Sequence, residues 1–492
     1  MSIVHRITVP HPVTDLDDYV RRRGGGGWEA ARSMAPDDII ATLEAAGLRG
    51  RGGGGFPTAV KWRTVRQMQS PDLPTTMVVN IAEGEPGTFK DRTVVRTNPY
   101  QVLEGALIAA RAVGAAEIVF GMKAGDTEGL ARVRTAIGEI IAADWVGDVT
   151  LEVFEGPDEY LYGEETAMLE AMEGRAPFPR IAPPWRRGLI EVVEGDADVD
   201  TGSGLAAHVE MADPDHETGA PPTLVDNAET LANVAHILAR GAEWFRTEGT
   251  DGSPGTLVCT FSGAVERPGV GEVLMGTTLR EAMEAVADGP ESGTTVKAVL
   301  SGVSNRVTTA DQLDTPLTYE DMQPLGIGPG SGGFIVYDDT TDMVAVAAGV
   351  SRFLAVESCG QCTPCKKDGI DISERLDKLC ANTADQRDLD VVRERLDTIT
   401  DGARCFLATQ HQTVVGSILD TFAGEVEAHL HGRAAPVERE LVAEAKALTD
   451  AGLEVDTGFS TKQPDWTHGP RWGGETPWER DVDHRRHQRV DE

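Results

Sequence analysis

The chain has 492 residues, 80 acidic and 45 basic, for a formal net charge of −35. That balance excludes non-specific nucleic-acid or anionic-membrane binding as its role, and the length calls for two to four domains rather than one core. Six cysteines are too few for a disulfide scaffold, but three stand within seven residues, which points to metal chemistry in a reducing compartment.

No run approaches the roughly 20 apolar residues of a membrane span, and the start MSIVHRITVPHP lacks the apolar core of a signal peptide. A cytoplasmic protein without direct membrane insertion is expected, peripheral on a larger assembly. Residues 1–35, with three arginines at 21–23 and four glycines at 24–27, read as a mobile arm. Pro36 and Asp37 open a helix that carries Ile39, Ile40, Leu43 and Ala46. The loop GLRGRGGGGFP (47–57) follows, and Pro57 opens a second helix through Val60, Val65 and Met68. Strands are expected at 77–81, 117–120 and 149–154, with helices from Pro99 and over 130–142. This alternation predicts a parallel sheet in an α/β domain spanning 36–250. Within it, residues 186–221 are acidic and Gly/Pro-rich, an expected surface insertion. Residues 255–340 alternate as strands around one helix near 278–286, a small α+β domain. Residues 343–435 read as amphipathic helices, and 460–492 as a disordered tail.

The stretch Gly50-Arg51-Gly52-Gly53-Gly54-Gly55 matches G-x-G-x-x-G literally, but a helix precedes it where the dinucleotide fingerprint needs a strand. No Lys-Ser/Thr follows, so it is not a P-loop either. The physics survives both failures. A backbone without Cβ atoms lets a flat or anionic ligand approach, and the amides leading into the next helix favour phosphate. Arg49, Arg51 and Lys61 add local positive charge. Asn80-Ile81-Ala82-Glu83-Gly84-Glu85 leaves the carboxyl end of the first strand, where α/β sheets bind ligands. Gly163-Glu164-Glu165-Thr166 is a third loop, which equally reads as a helix N-terminus with favourable acidic residues.

Cys359, Cys362 and Cys365 form C-x2-C-x2-C. A single C-x2-C would suit zinc; three thiolates at this pitch fit three corners of a [4Fe–4S] cluster. Two cysteines compete for the fourth corner. Cys380 falls beside Leu376 and Leu379 on an amphipathic helix, where a core thiol is expected. Cys405 follows Asp401-Gly402 at a helix start, where a thiolate is favoured.

With these residues in hand, the chain resembles the flavin-bearing NADH-oxidising subunit of respiratory complex I. The same module serves as diaphorase subunit in NAD-linked hydrogenases and formate dehydrogenases. GLRGRGGGGFPTAVKW (47–62), NIAEGEPGTFKDR (80–92), YGEETAMLEAMEGR (162–175), PTLVDNAETLANV (222–234) and ESCGQCTPCKKDG (357–369) carry the resemblance. It implies a Rossmann-like FMN- and NADH-binding domain, a ubiquitin-like β-grasp domain at SGAVERPGVGEVLMGTTLRE (262–281) and a helical bundle bearing the cluster. It further implies FMN contacts from Gly50, Arg51, Gly52, Lys61, Asn80, Glu83, Gly163, Asn227 and Thr230, and NADH contacts from Phe56, Glu85 and Glu165. Cys359, Cys362, Cys365 and Cys405 become the cluster ligands. The implied activity is hydride transfer from NADH to FMN and single-electron transfer through the cluster; no catalytic acid or nucleophile is expected. Implied partners are a thioredoxin-like [2Fe–2S] subunit and further iron–sulfur chains. Ala82, Asp226, Ala182 and Trp185 depart from the family pattern; of these, Ala82 and Ala182 alone favour the third expectation beside the complex I and diaphorase roles, a scaffold that has lost NADH turnover.

Overall fold

A computed structural model describes residues 3–70, 73–189, 222–449 and 452–464. Four strands, β1 (Thr75–Asn80), β2 (Ala115–Lys123), β3 (Thr150–Gly156) and β4 (Thr223–Asn227), form one all-parallel sheet in the order β3-β2-β1-β4. Successive β1 side chains point to opposite faces. Met77 and Val79 join the large core beneath helices Pro99–Val113 and Ala228–Arg240, while Val78 joins Tyr162, Met168 and Met172 on the other face. The two helices approach so closely that a Cβ at Gly105 would stand 2.0 Å from the Leu231 carbonyl oxygen. The carboxyl ends of β1 and β4 lie side by side, with Asn80 paired to Asn227.

The N-terminal segment corrects the expectation of a mobile arm. Residues Leu16–Arg21 and Gly26–Ser33 are helices packed on the first core. The glycines serve close approach rather than disorder: a Cβ at Gly27 would meet the Ala235 carbonyl oxygen at 2.3 Å. Buried Glu104 fixes the segment, accepting from Tyr19 Oη at 2.5 Å and from the Gly25 and Trp28 amides at 2.8 Å.

A second sheet holds β5 (Thr256–Gly263), β6 (Gly269–Leu274), β7 (Val296–Ser301), β8 (Thr308–Thr309) and β9 (Gly333–Asp338), in the order β6-β5-β9-β7-β8. β5 and β9 run parallel at its centre, and the capped helix Leu279–Ala287 covers it, a β-grasp arrangement. Helices Met343–Glu357, Thr363–Cys380, Gln386–Thr398, Leu407–Thr421 and Ala423–Leu430 build the third unit.

Beyond these helices the chain turns back, which the sequence pattern does not foretell. A hairpin of β10 (Ala445–Thr449) and β11 (Gly452–Val455) leads to a short 3₁₀ turn, Thr457–Thr461. Glu444 pairs with Lys123 at the end of β2 (2.6 Å), and Phe459 packs on Phe353 with ring centres 5.1 Å apart. Lys462 ion-pairs with Glu159 and, at 2.6 Å, with Glu357, acids from two different units. The expected insertion at 186–221 lies outside the described residues from 190 on, and the expected tail does so from 465 on.

Burial lowers the pKa of His236 to about 4 and of His411 to about 3. The fold therefore holds both neutral, whereas the unfolded chain protonates them near 6.5. Stability from this source is present above about pH 6.5 and is lost as pH falls towards 4, at roughly 1.4 kcal/mol per pH unit per histidine. Thermal unfolding at pH 7 and pH 5 should show the drop, and the double variant His236→Gln, His411→Gln should flatten it.

Candidate functional site

The glycine loop is a closed ribbon. Arg49 and Pro57 form an isolated bridge, the Gly50 amide donates to Phe56 O (2.8 Å), and the Thr58 amide donates to Leu48 O (3.0 Å). The residues between are pinched off at their base. Gly53 (φ +118°) and Gly55 (φ +59°) take conformations that side chains resist, and a Cβ at Gly55 would meet the Tyr319 ring at 2.3 Å. Gly52 lies on Asn227, where a Cβ would stand 3.2 Å from Asn227 Cβ, so the ribbon rests against the end of β4.

Arg51 departs from the role of phosphate clamp. Its side chain is buried and points into the protein: Nε donates to Thr256 O and Nη2 to Pro254 O, each at 3.1 Å. Its amide donates to Thr230 Oγ1 at 2.8 Å. The guanidinium thus shapes the ribbon by tying it to β5. Arg49 stacks on Tyr319 instead, 5.0 Å from the ring centre. Phe56 remains exposed at the ribbon's end.

The strand ends meet the ribbon. Asn80 Nδ2 donates to Gly163 O at 2.8 Å, and Gly163 sits so near that a Cβ would be 2.7 Å from Ala82 O. Asn227 Oδ1 caps helix Ala228–Arg240, while its Nδ2 donates to Asp91 Oδ2 (2.8 Å). Asp91 belongs to a buried network in which Lys90 Nζ lies 2.9 Å from Asp91 and 2.8 Å from Glu229. Burial raises the Asp91 carboxyl to about 6. Glu83 does not project freely: it accepts from the amides of Lys90 (2.8 Å) and Asp91 (3.0 Å) and from Arg92 Nε (3.0 Å). It therefore acts as the anchor of helix Lys90–Thr97.

Lys61 pairs with Glu165 at 2.7 Å, both side chains partly exposed. Burial opposes the Lys61 charge, but Glu165 and Asp226 outweigh it and hold the ammonium above its usual pKa. Asp226 is buried, accepts from Trp62 Nε1 at 2.6 Å, and has its carboxyl raised by burial against the pull of Lys61. Glu85 accepts from Val303 N, Ser304 Oγ and Tyr160 Oη. Burial still keeps its carboxyl above the usual range. Tyr160 and Ser304 were missed by sequence reasoning; the motif YGEET begins two residues after Tyr160, so only adjacency pointed to it.

Cys359, Cys362, Cys365 and Cys405 line one cavity with Leu161, Pro179, Gln361, Arg404 and Leu407. Cys362 immediately precedes helix Thr363–Cys380 without a side-chain capping bond, and the Leu407 amide bonds to Cys405 at the start of helix Leu407–Thr421. Two helix N-termini thus face the sulfurs, an arrangement that favours negative charge. Ser358 Oγ lies 3.2 Å from Cys365 Sγ and Gln361 Nε2 donates to Cys359 Sγ at 3.5 Å. Burial raises the Cys365 thiol to about 11 and the Cys405 thiol to about 12, so a metal held by them would have to supply the charge that deprotonates them. No group of three or more His, Cys, Asp or Glu among the described residues is gathered to hold a metal ion; the four cysteines share the lining of one cavity. Cys380 closes the far end of an 18-residue helix, roughly 22 Å along its axis from Cys365, and lines a different cavity. The donor set fits a multi-iron cluster, and the glycine ribbon with its strand ends fits a flat, phosphorylated ligand.

The chain is similar to known proteins in sequence and in fold. The family model of the Nuo51 FMN-binding domain matches residues 43–236, and that of the NADH-ubiquinone oxidoreductase-F iron-sulfur binding region matches 345–429. The F subunit of NADH-quinone oxidoreductase from Streptomyces coelicolor is 34% identical over 432 residues, covering 86% of this chain and 90% of its own. The HndC subunit of the NADP-reducing hydrogenase from Solidesulfovibrio fructosivorans is 32% identical over 432 residues, covering 86% and 82%. The crystal structure of an NAD+-reducing [NiFe]-hydrogenase in the H2-reduced state superposes with a TM-score of 0.72 at 32% identity, over 86% of this chain and 68% of that one.

Arg51→Met should destabilise the apo-protein by roughly 3 kcal/mol, the worth of one to two charge-assisted hydrogen bonds. Arg51→Lys should recover less than half, because lysine lacks the planar fork. Denaturant unfolding of flavin-free protein measures this; an unchanged apo stability with weakened flavin binding would instead mark Arg51 as a phosphate ligand.

Proposed function

The chain belongs to the family of the NADH-quinone oxidoreductase flavoprotein (F) subunits, and on that premise we propose that it is the electron-input subunit of a multi-subunit oxidoreductase. It takes a hydride from NADH and passes single electrons to partner chains. One observation carries the reading. Residues 160–165 serve both sites: Leu161 lines the cysteine cavity while Gly163 and Glu165 meet the strand ends and Lys61. The two sites share a wall.

FMN, when bound, converts a two-electron hydride into single-electron steps, and a [4Fe–4S] cluster carries those electrons onward. The chain's own work is placement. The ribbon at Gly50 and Gly52 leaves room for the flavin phosphate, with Asn80, Gly163, Asn227 and Thr230 along the ring and ribityl side. Lys61, paired with Glu165 and close enough to act on Asp226 in β4, offers positive charge beside the strand ends. Glu83 and Arg51 contribute by holding the walls in place. Phe56 presents an exposed ring for the adenine, and Glu85 and Glu165 present carboxylates for NADH hydroxyls. Cys359, Cys362, Cys365 and Cys405 hold the cluster.

The electrons leave on a thioredoxin-like [2Fe–2S] subunit and further iron–sulfur chains, peripheral on a cytoplasmic membrane face. Among the described residues no helix is long and apolar enough to cross a membrane. A second reading, the diaphorase subunit of a hydrogenase, is supported by the likeness to HndC and to the NAD+-reducing hydrogenase. Co-purification of the native complex separates the two by its other subunits.

Anaerobically isolated protein should carry flavin and about four irons, and its visible absorbance should bleach on adding NADH. Cys405→Ser should lose most of the iron, whereas Cys380→Ser should keep it, as iron analysis and low-temperature EPR of the reduced protein would report. Iron retained by Cys405→Ser and lost from Cys380→Ser would overturn the ligand assignment. A full set of cofactors without bleaching would leave only a scaffold.

A further inference from the structure

Glu85 stands where all three units meet. Its Oε1 accepts from the Val303 amide at 2.7 Å and from Ser304 Oγ at 2.5 Å, and its Oε2 accepts from Tyr160 Oη at 2.6 Å. An ionised carboxylate only accepts. The protons of both hydroxyls therefore lie on these contacts. Gln410, in the first turn of helix Leu407–Thr421, touches the same two hydroxyl oxygens: Nε2 lies 2.8 Å from Tyr160 Oη and 3.2 Å from Ser304 Oγ. With their protons committed to Glu85, those oxygens can only accept, so the group against them has to be a donor. The NH₂ of the Gln410 carboxamide is that donor, and its two hydrogens match the two oxygens.

The carboxamide thereby sets the polarity of the whole network. Each hydroxyl receives a hydrogen bond from Gln410 and gives one to Glu85. Oε1 takes two protein donors and Oε2 only one, which leaves Oε2 a lone pair for a ligand hydroxyl. We propose that Gln410 is a positioning residue for the nucleotide site: by aiming Tyr160 and Ser304 at Glu85, it holds that carboxylate ionised and in one orientation. The proposal rests on the reading of Glu85 as an NADH contact. It also links the two sites mechanically, since Gln410 lies five residues after Cys405 on the helix that starts at the cysteine cavity.

The test is steady-state oxidation of NADH by the cofactor-loaded protein with ferricyanide as acceptor. Gln410→Glu keeps the shape but replaces the donor with an acceptor, which draws the hydroxyl protons away from Glu85. The KM for NADH should rise about tenfold, the loss of one hydrogen bond to a charged group, with kcat within about twofold. Gln410→Met, which removes the donor without adding charge, should raise KM by a smaller factor and keeps the test open if the glutamate variant does not fold. Glu85→Gln is the control. If Glu85→Gln raises KM and neither Gln410 variant does, the proposal fails while the reading of Glu85 stands. If Glu85→Gln leaves KM unchanged, that reading fails and the proposal goes with it. A fall in kcat with KM unchanged in the Gln410 variants marks a merely structural residue and overturns the proposal.

Discussion

Each boundary between the units is closed by a buried charge whose partners come from more than one unit, and that constraint fixes the molecule's geometry. A desolvated ion without partners costs several kcal/mol, so a unit that moved away would strand one. Glu229 holds Lys90 on one oxygen and the Val258 amide of the β-grasp sheet on the other. Glu272 on β6 collects the amides of Arg6, Ile7 and Thr8. Glu85 joins the strand-end loop to the β-grasp loop at Val303 and Ser304. Lys462 sits between Glu159 of the α/β unit and Glu357 of the helical unit. Electron transfer between two sites needs a fixed separation more than it needs motion. A set of buried charges answers that need better than apolar seams, which tolerate sliding.

The same logic explains what the sequence could and could not tell. Periodicity located the elements because burial on one face is a local pattern: the helix expected from Pro36 runs Pro36–Ala46, and the strand expected at 77–81 is Thr75–Asn80. Cysteine spacing brought out residues that line one cavity because three of those four are neighbours in sequence. Partners of charged residues are a non-local matter, and there local pattern misleads. Arg51 among glycines looks like an anion ligand, yet its partners are carbonyls some 200 positions away. Glu83 in an acidic loop looks like a hydroxyl acceptor, yet it anchors a helix start seven residues on. The glycines at 24–27 look like a flexible linker because glycine's cost in chain entropy is visible in sequence, while the helix that needs the missing Cβ of Gly27 lies some 200 positions downstream. The hairpin of β10 and β11 escaped altogether: its strands are short and weakly alternating, and the segments that flank it are held by Lys123, Glu159 and Glu357 through contacts that no local pattern encodes.

A protein of formal charge −35 that binds two phosphorylated, negatively charged molecules poses an electrostatic problem. Net charge sets only the far field, and salt screens that field beyond about 8–10 Å at physiological ionic strength. Affinity is decided inside that radius. There the acids are already answered: Glu165 by Lys61, Glu83 by Arg92 and backbone amides, and Glu85 by three donors. On the reading proposed above, what the site offers a ligand beyond these paired carboxylates is a ribbon of bare peptide groups, the exposed Phe56 ring and Lys61, whose ammonium Glu165 and Asp226 keep protonated. The acidic surface governs solubility and slows the approach of anions, while the crevice itself presents them with donors. Pairing the acids in advance also means that a nucleotide adds contacts without displacing a counter-ion from the carboxylates, so the seams that hold the two sites together stay closed when the ligand arrives.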